Sequence, residues 1–158
     1  YFTFSNFSDW GSNNNNGFVS LVESCRGKNC VLDIGGHIGL VALSISDVIS
    51  SKGRVYCFEP SAINYAYLLK HIDANKVQNI KPIELLVGSS DDEVIFFEHD
   101  LPAGQNSLGG PANDGLEYFP VHRKQVALDT FCRDYRLSPE IIKIDVEGAE
   151  TERLEAVQ

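Results

Sequence analysis

A short apolar strand that runs into an acid and then into glycines constrains this chain more than any other stretch. It reads Val31-Leu32-Asp33-Ile34-Gly35-Gly36-His37-Ile38-Gly39. An amphipathic helix follows, with Ile38, Val41, Ala42, Ile45 and Ile49 at the spacing of one helical face. After Gly53 a second apolar strand, Arg54 to Phe58, ends in Glu59-Pro60. Strand, glycine turn, helix, strand and acid in this order build a nucleoside pocket at the carboxyl ends of the strands of an α/β sheet.

Asp33 decides which nucleoside cofactor suits the pocket. A dinucleotide lays a pyrophosphate on the glycine turn and the helix N-terminus behind it. A carboxylate at the end of the strand repels those phosphates. The G-x-G-x-x-G spacing also fails, because position 37 holds His37 where the second glycine belongs. S-adenosylmethionine fits better, since it has no phosphate and carries an ammonium, a carboxylate and a sulfonium. Asp33 attracts the ammonium, directly or through water. Backbone N–H groups at the helix start receive the carboxylate. Gly35, Gly36 and Gly39 allow close approach and a sharp turn, with His37 shaping the loop or touching the cofactor. Glu59 accepts the ribose hydroxyls, a feature shared with NAD sites. The competing local reading makes Asp33 a helix-capping acid beside an ordinary turn. The joint spacing of Asp33, Gly35, Gly39 and Glu59 favours the cofactor.

Length sets one domain, with residues 1–26 as a lead-in and 27–158 as the core. A net charge of −9 argues against a nucleic-acid backbone and against an anionic membrane surface. There is no apolar run of membrane-spanning length and no visible signal peptide. Cys25, Cys30, Cys57 and Cys132 show neither C-x-x-C pairing nor metal-ligand spacing, so no metal is expected and the chain reads as reduced and cytoplasmic. Cys25 and Cys30 are the one pair near enough in sequence to meet. The chain begins at Tyr1 and holds no methionine, which reads as a piece of something longer.

The remaining pattern predicts a helix over 17–26 and a strand over 30–34. A helix capped by Ser61 follows the second strand and buries Tyr65, Leu68, Leu69 and Ile72. A third strand covers Ile83 to Val87. This βαβαβ order implies a parallel, Rossmann-like sheet. An antiparallel excursion then pairs Glu93–Glu98 with Val121–Leu128 across the Gly- and Pro-rich loop 101–115. A short helix over 128–135 leads to a last strand, Ile141 to Val146, and a final helix starts near Gly148. The aromatics Phe2, Phe4, Phe7 and Trp10 of the lead-in are expected to pack on the domain.

That last strand is the second chemically loaded stretch. Ile142, Ile144 and Val146 share one face, and Lys143, Asp145 and Glu147 the other. A strand buried in a parallel sheet is ordinarily apolar on both faces. One reading is a self-satisfying Lys143–Asp145 ion pair. The other places Asp145 beside the methyl donor, to bind substrate, act as a base or hold the cofactor's amino end.

Taken together, these residues resemble the FkbM family of S-adenosylmethionine-dependent methyltransferases. The resemblance runs through the glycine turn and Phe58-Glu59-Pro60, then Gly104-Gln105-Asn106-Ser107-Leu108 and Leu128-Asp129-Thr130-Phe131. It ends in Ile142-Lys143-Ile144-Asp145-Val146-Glu147-Gly148-Ala149-Glu150, the most specific part. It implies a Rossmann-like class I methyltransferase sheet and methyl transfer, usually to a hydroxyl on a small molecule or sugar. Asp33, Gly35, Gly39 and Glu59 carry over as cofactor contacts, and Gly88-Ser89-Ser90 lies where such folds hold adenine. Asn106, Ser107 and Glu147 are expected to meet substrate, and Asp145 and Glu147 carry over as signature residues. Such sheets have seven strands. This chain supplies four and the excursion, so a further segment or an oligomeric partner is expected to complete the edge. Asp145, His99 and His122 are the candidate bases, each histidine having an ordinary surface role as its alternative. A non-catalytic cofactor-binding or interaction module and an NAD-type oxidoreductase are the competing functions.

Overall fold

The computed structural model describes residues 16–101, 106–108, 110 and 115–145. The lead-in aromatics, Gly104, Gln105, Glu147 and the expected final helix lie outside the described residues. Helix α1 (Asn16–Ser24) precedes strand β1 (Cys30–Ile34), helix α2 (Leu40–Val48), β2 (Arg54–Phe58) and helix α3 (Ala62–Ala74). Strands β3 (Ile80–Ile83), β4 (Leu86–Gly88), β5 (Glu93–His99) and β6 (Tyr118–Ala127) come next, then helix α4 (Leu128–Asp134) and β7 (Ile141–Ile144). Among the described residues no helix is long and apolar enough to cross a membrane.

The main sheet is parallel, in the order β3-β2-β1-β7. β1 is central and buried along Val31–Ile34, which explains its apolar run, broken only at Asp33. β3 holds the edge, where Pro82 has no ladder bond to donate. Alternation along the strands sends side chains into two cores. Val31, Val55 and Cys57 join Ala42, Leu43, Ile45 and Leu68 on one face, packed by α2 and α3. Leu32, Ile34 and Phe58 join Val87, Leu128 and Phe131 on the other, where Phe58 meets Phe131 edge-on at 4.9 Å. Each fully buried Leu or Phe contributes roughly 1.5–3 kcal/mol.

Two sequence readings are corrected. The expected strand Ile83–Val87 is two strands. β3 pairs with β2, whereas β4 leaves that sheet to pair parallel with β6, so the chain changes partner at Glu84-Leu85. Leu69 of α3 is exposed at 42%, and the buried face runs through Asn64, Leu68 and His71, with Tyr65 and Ile72 partly buried beside it. Polar Asn64 and His71 take inner positions because each has a bonding partner there, described below. All four cysteines are free, in keeping with the reduced chain read from the sequence.

The excursion forms as expected. β5 and β6 are antiparallel from Glu93↔Lys124 to His99↔Tyr118, and β6 starts earlier than Val121. Ser61 caps α3 by accepting from the Asn64 backbone N–H at 3.4 Å.

Candidate functional site

The glycine turn leaves the carboxyl end of β1 with positive φ at Gly35 (76°), His37 (52°) and Gly39 (92°). Glycine adopts this region freely, whereas for His37 it costs roughly 1–2 kcal/mol. Bonds from neighbouring elements hold it there. The N–H groups of Gly35 and Gly36 both donate to the Phe58 carbonyl, at 3.0 and 2.8 Å. His37 N–H donates to Glu59 Oε2 at 2.8 Å. The Ile38 carbonyl lies 2.7 Å from Nδ1 of His71, which is 2% exposed on α3. A Cβ on Gly39 would sit 2.5 Å from Leu68 Cδ1, and one on Gly36 would collide with the Cys57 sulfur. β2 and α3 thus press the turn into one shape.

Glu59 is 4% exposed. Besides His37, its carboxylate takes the Ser61 N–H at 3.0 Å and Asn64 Nδ2 at 3.2 Å, both on Oε1. A carboxylate oxygen accepts two hydrogen bonds, so Oε2 has room for one more donor. Burial pushes this carboxyl above its ordinary range, and the three hydrogen bonds oppose the shift.

Asp33 is fully buried, in a row that register lays across the sheet: Cys57 on β2, Asp33 on β1, Lys143 on β7. Lys143 Nζ lies 3.0 Å from Asp33 Oδ1, an ion pair rather than an aligned hydrogen bond. The same ammonium donates to the Gly35 carbonyl at 2.9 Å and stands 3.7 Å from Asp145 Oδ2. One of the two sequence readings paired Lys143 with Asp145; its closer anion is Asp33. Burial raises the Asp33 carboxyl, with Lys143 pulling it back, and drives the Cys57 thiol well above its usual value. Burial first, and then the Lys143 charge, lowers the His37 imidazole, whose buried Nε2 has no hydrogen-bond partner. Asp145 follows β7, its N–H bonded to the Ile34 carbonyl and its side chain 75% exposed.

The structure therefore gathers Asp33, Gly35, Gly36, His37, Gly39, Glu59 and Asp145 at the carboxyl ends of β1, β2 and β7. The other expected residues have local contacts of their own. Gly88 is buried at the end of β4 with the Gln125 side chain where its Cβ would be. Ser89 and Ser90 are exposed, and Ser90 Oγ bonds Asp92 and Gln125. His122 is 72% exposed, facing Glu93 across the hairpin at 3.7 Å. His99 is 8% exposed; its Nδ1 accepts the Leu101 N–H at 2.9 Å, with exposed Asp100 at 3.2 Å. In the neutral ring that bond places the proton on Nε2, which then donates rather than accepts. Asn106 Oδ1 accepts the His99 N–H at 3.0 Å, and Ser107 bridges Phe97 through the backbone. Glu147 lies outside the described residues.

Two contacts were not drawn from the sequence. Lys143 as the partner of Asp33 was readable in principle, because each lies next to the last residue of an adjacent parallel strand. His71 left no local sign, since its contact is with a carbonyl 33 residues away.

These residues fit a cationic, phosphate-free cofactor. Three carboxylates surround the turn and the lysine is already engaged by one of them, so a pyrophosphate meets net negative charge. The orphaned His37 Nε2 and the spare acceptor on Glu59 Oε2 are unused polar capacity at the same turn.

The Methyltransferase FkbM domain signature matches residues 33–158. No curated protein matches the chain. Among solved structures, methyltransferase FkbM from Methylobacillus flagellatus is 19% identical, with a TM-score of 0.52 over 83% of this chain and 29% of that one. A putative rRNA-methylase from Clostridium thermocellum is 14% identical, with a TM-score of 0.42 over 44% of this chain and 38% of that one. The chain thus spans well under two thirds of the length of these solved structures. The parallel sheet with its glycine turn is the Rossmann-like methyltransferase fold, and the chain belongs to the FkbM methyltransferase domain family.

Proposed function

We propose that this chain carries the S-adenosylmethionine site of a methyltransferase that acts on a hydroxyl of a small molecule or sugar. The observation that supports the reading most is the rigid glycine turn set between Glu59 on one side and the Asp33–Lys143–Asp145 row on the other. Family membership supports the methyl-transfer chemistry, and the net charge of −9 speaks against a nucleic-acid acceptor. When bound, S-adenosylmethionine supplies an activated methyl group. Gly35, Gly36 and Gly39 let the backbone approach it, Glu59 Oε2 accepts from a ribose hydroxyl, and His37 Nε2 faces the same turn. The protein's main contribution is alignment of donor and acceptor, worth up to ~7–11 kcal/mol when the geometry is ideal.

Isothermal titration with S-adenosylmethionine, followed by a methyl-release assay over a panel of hydroxylated acceptors, tests the reading. Binding with turnover supports it. Binding without turnover on any acceptor favours a cofactor-binding module instead.

A further inference from the structure

Asp33 has the position from which a carboxylate is expected to receive a ligand's ammonium, yet it is 0% exposed, sealed by Cys57 on one side and Lys143 on the other. A ligand reaches it only by displacing Lys143. The pair is also not explained by stability, because two desolvated charges in a sheet seldom outperform an apolar pair. An ammonium has three donors. One goes to the Gly35 carbonyl at 2.9 Å, while Asp33 Oδ1 stands at 3.0 Å as an ion pair. Asp145 Oδ2, at 3.7 Å, is beyond hydrogen-bond distance, which leaves the ammonium with donor capacity beside an exposed carboxylate. A fixed cation and an exposed anion a few ångströms apart, at the rim of the glycine turn, complement a zwitterion.

We propose that Lys143 and Asp145 together receive the α-amino-acid end of the cofactor, Lys143 its carboxylate and Asp145 its ammonium, while Asp33 touches no ligand and acts as a positioning residue through Lys143. The proposal rests on the reading that the site holds S-adenosylmethionine. It reassigns the charge recognition expected of Asp33 to the two charged residues on the strand after the hairpin.

Two ligands separate the amino-acid end from the nucleoside: S-adenosylhomocysteine carries both, and 5′-methylthioadenosine lacks the amino acid. Titration of each into the wild-type protein, an Asp33→Asn/Lys143→Met double variant and Asp145→Asn reads the contribution directly. The double variant removes both charges together and leaves none buried alone. Expected is a loss of about 10- to 100-fold in S-adenosylhomocysteine affinity in both variants, the worth of a charged hydrogen bond, with methylthioadenosine affinity within about twofold of wild type. Equal loss for both ligands makes the row merely structural and overturns the proposal, as does unchanged affinity for both. Should the double variant fail to fold, Asp145→Asn, at an exposed site, decides alone: selective loss of S-adenosylhomocysteine supports the proposal, and equal or absent loss overturns it. A wild-type protein that binds neither ligand overturns the cofactor reading itself, and the proposal with it.

Discussion

At the scale of single residues, Glu59 and Gly39 carry the clearest consequences. Glu59 receives three donors, two of them backbone N–H groups. Glu59→Gln turns an amide toward at least one of these and costs about 1–3 kcal/mol, measured by urea unfolding. Its pH signature has a definite sign. The folded carboxyl titrates above the unfolded one because burial disfavours the charge. The native state therefore holds the extra proton between the two values, and stability falls as pH rises through that window. Glu59→Gln should remove this component, so its stability declines less steeply than wild type just above the ordinary carboxylate range. An identical slope in both proteins contradicts the assignment. Gly39→Ala adds left-handed strain to a collision with Leu68, and a loss of about 2 kcal/mol or more is expected. Leu68→Ala in the same chain should recover the steric part and leave the strain, which a double-mutant cycle resolves.

At the scale of elements, legibility followed locality. β1, α2, β2 and β7 were readable from local pattern: short strands rich in apolar residues, interrupted by Asp33 in β1 and Lys143 in β7, and a stripe for the helix. The break between β3 and β4 was hidden. Ile83 through Val87 is apolar but for Glu84, and only the choice of partner, β2 or β6, divides it. The face of α3 was misjudged at Leu69 because apolarity alone cannot show that His71 turns inward to a carbonyl of the glycine turn. That contact makes α3 a brace for the turn. His71→Leu should raise amide exchange around residues 36–39, whereas His71→Asn, whose Nδ2 reproduces the Nδ1 donor, should restore much of the protection. Equal protection in the leucine variant contradicts the brace.

At the scale of the whole molecule, the sheet gathers its charges where its strands end. Asp33, Lys143 and Cys57 come from three strands and share one row only because the parallel register sets them side by side. Here the glycine-turn residues expected from sequence met, and Asp145 joined them. His99 and His122, expected as bases, have their recorded bonds with Leu101, Asp100 and Glu93. Around this one turn stand the carboxylates of Asp33, Glu59 and Asp145, with Lys143 engaged by Asp33.

Competitive selectivity at that turn is the most direct test. Titration calorimetry of the protein with S-adenosylmethionine and with NADH should show saturable binding of the first and none of the second. Binding of NADH without S-adenosylmethionine would contradict the account.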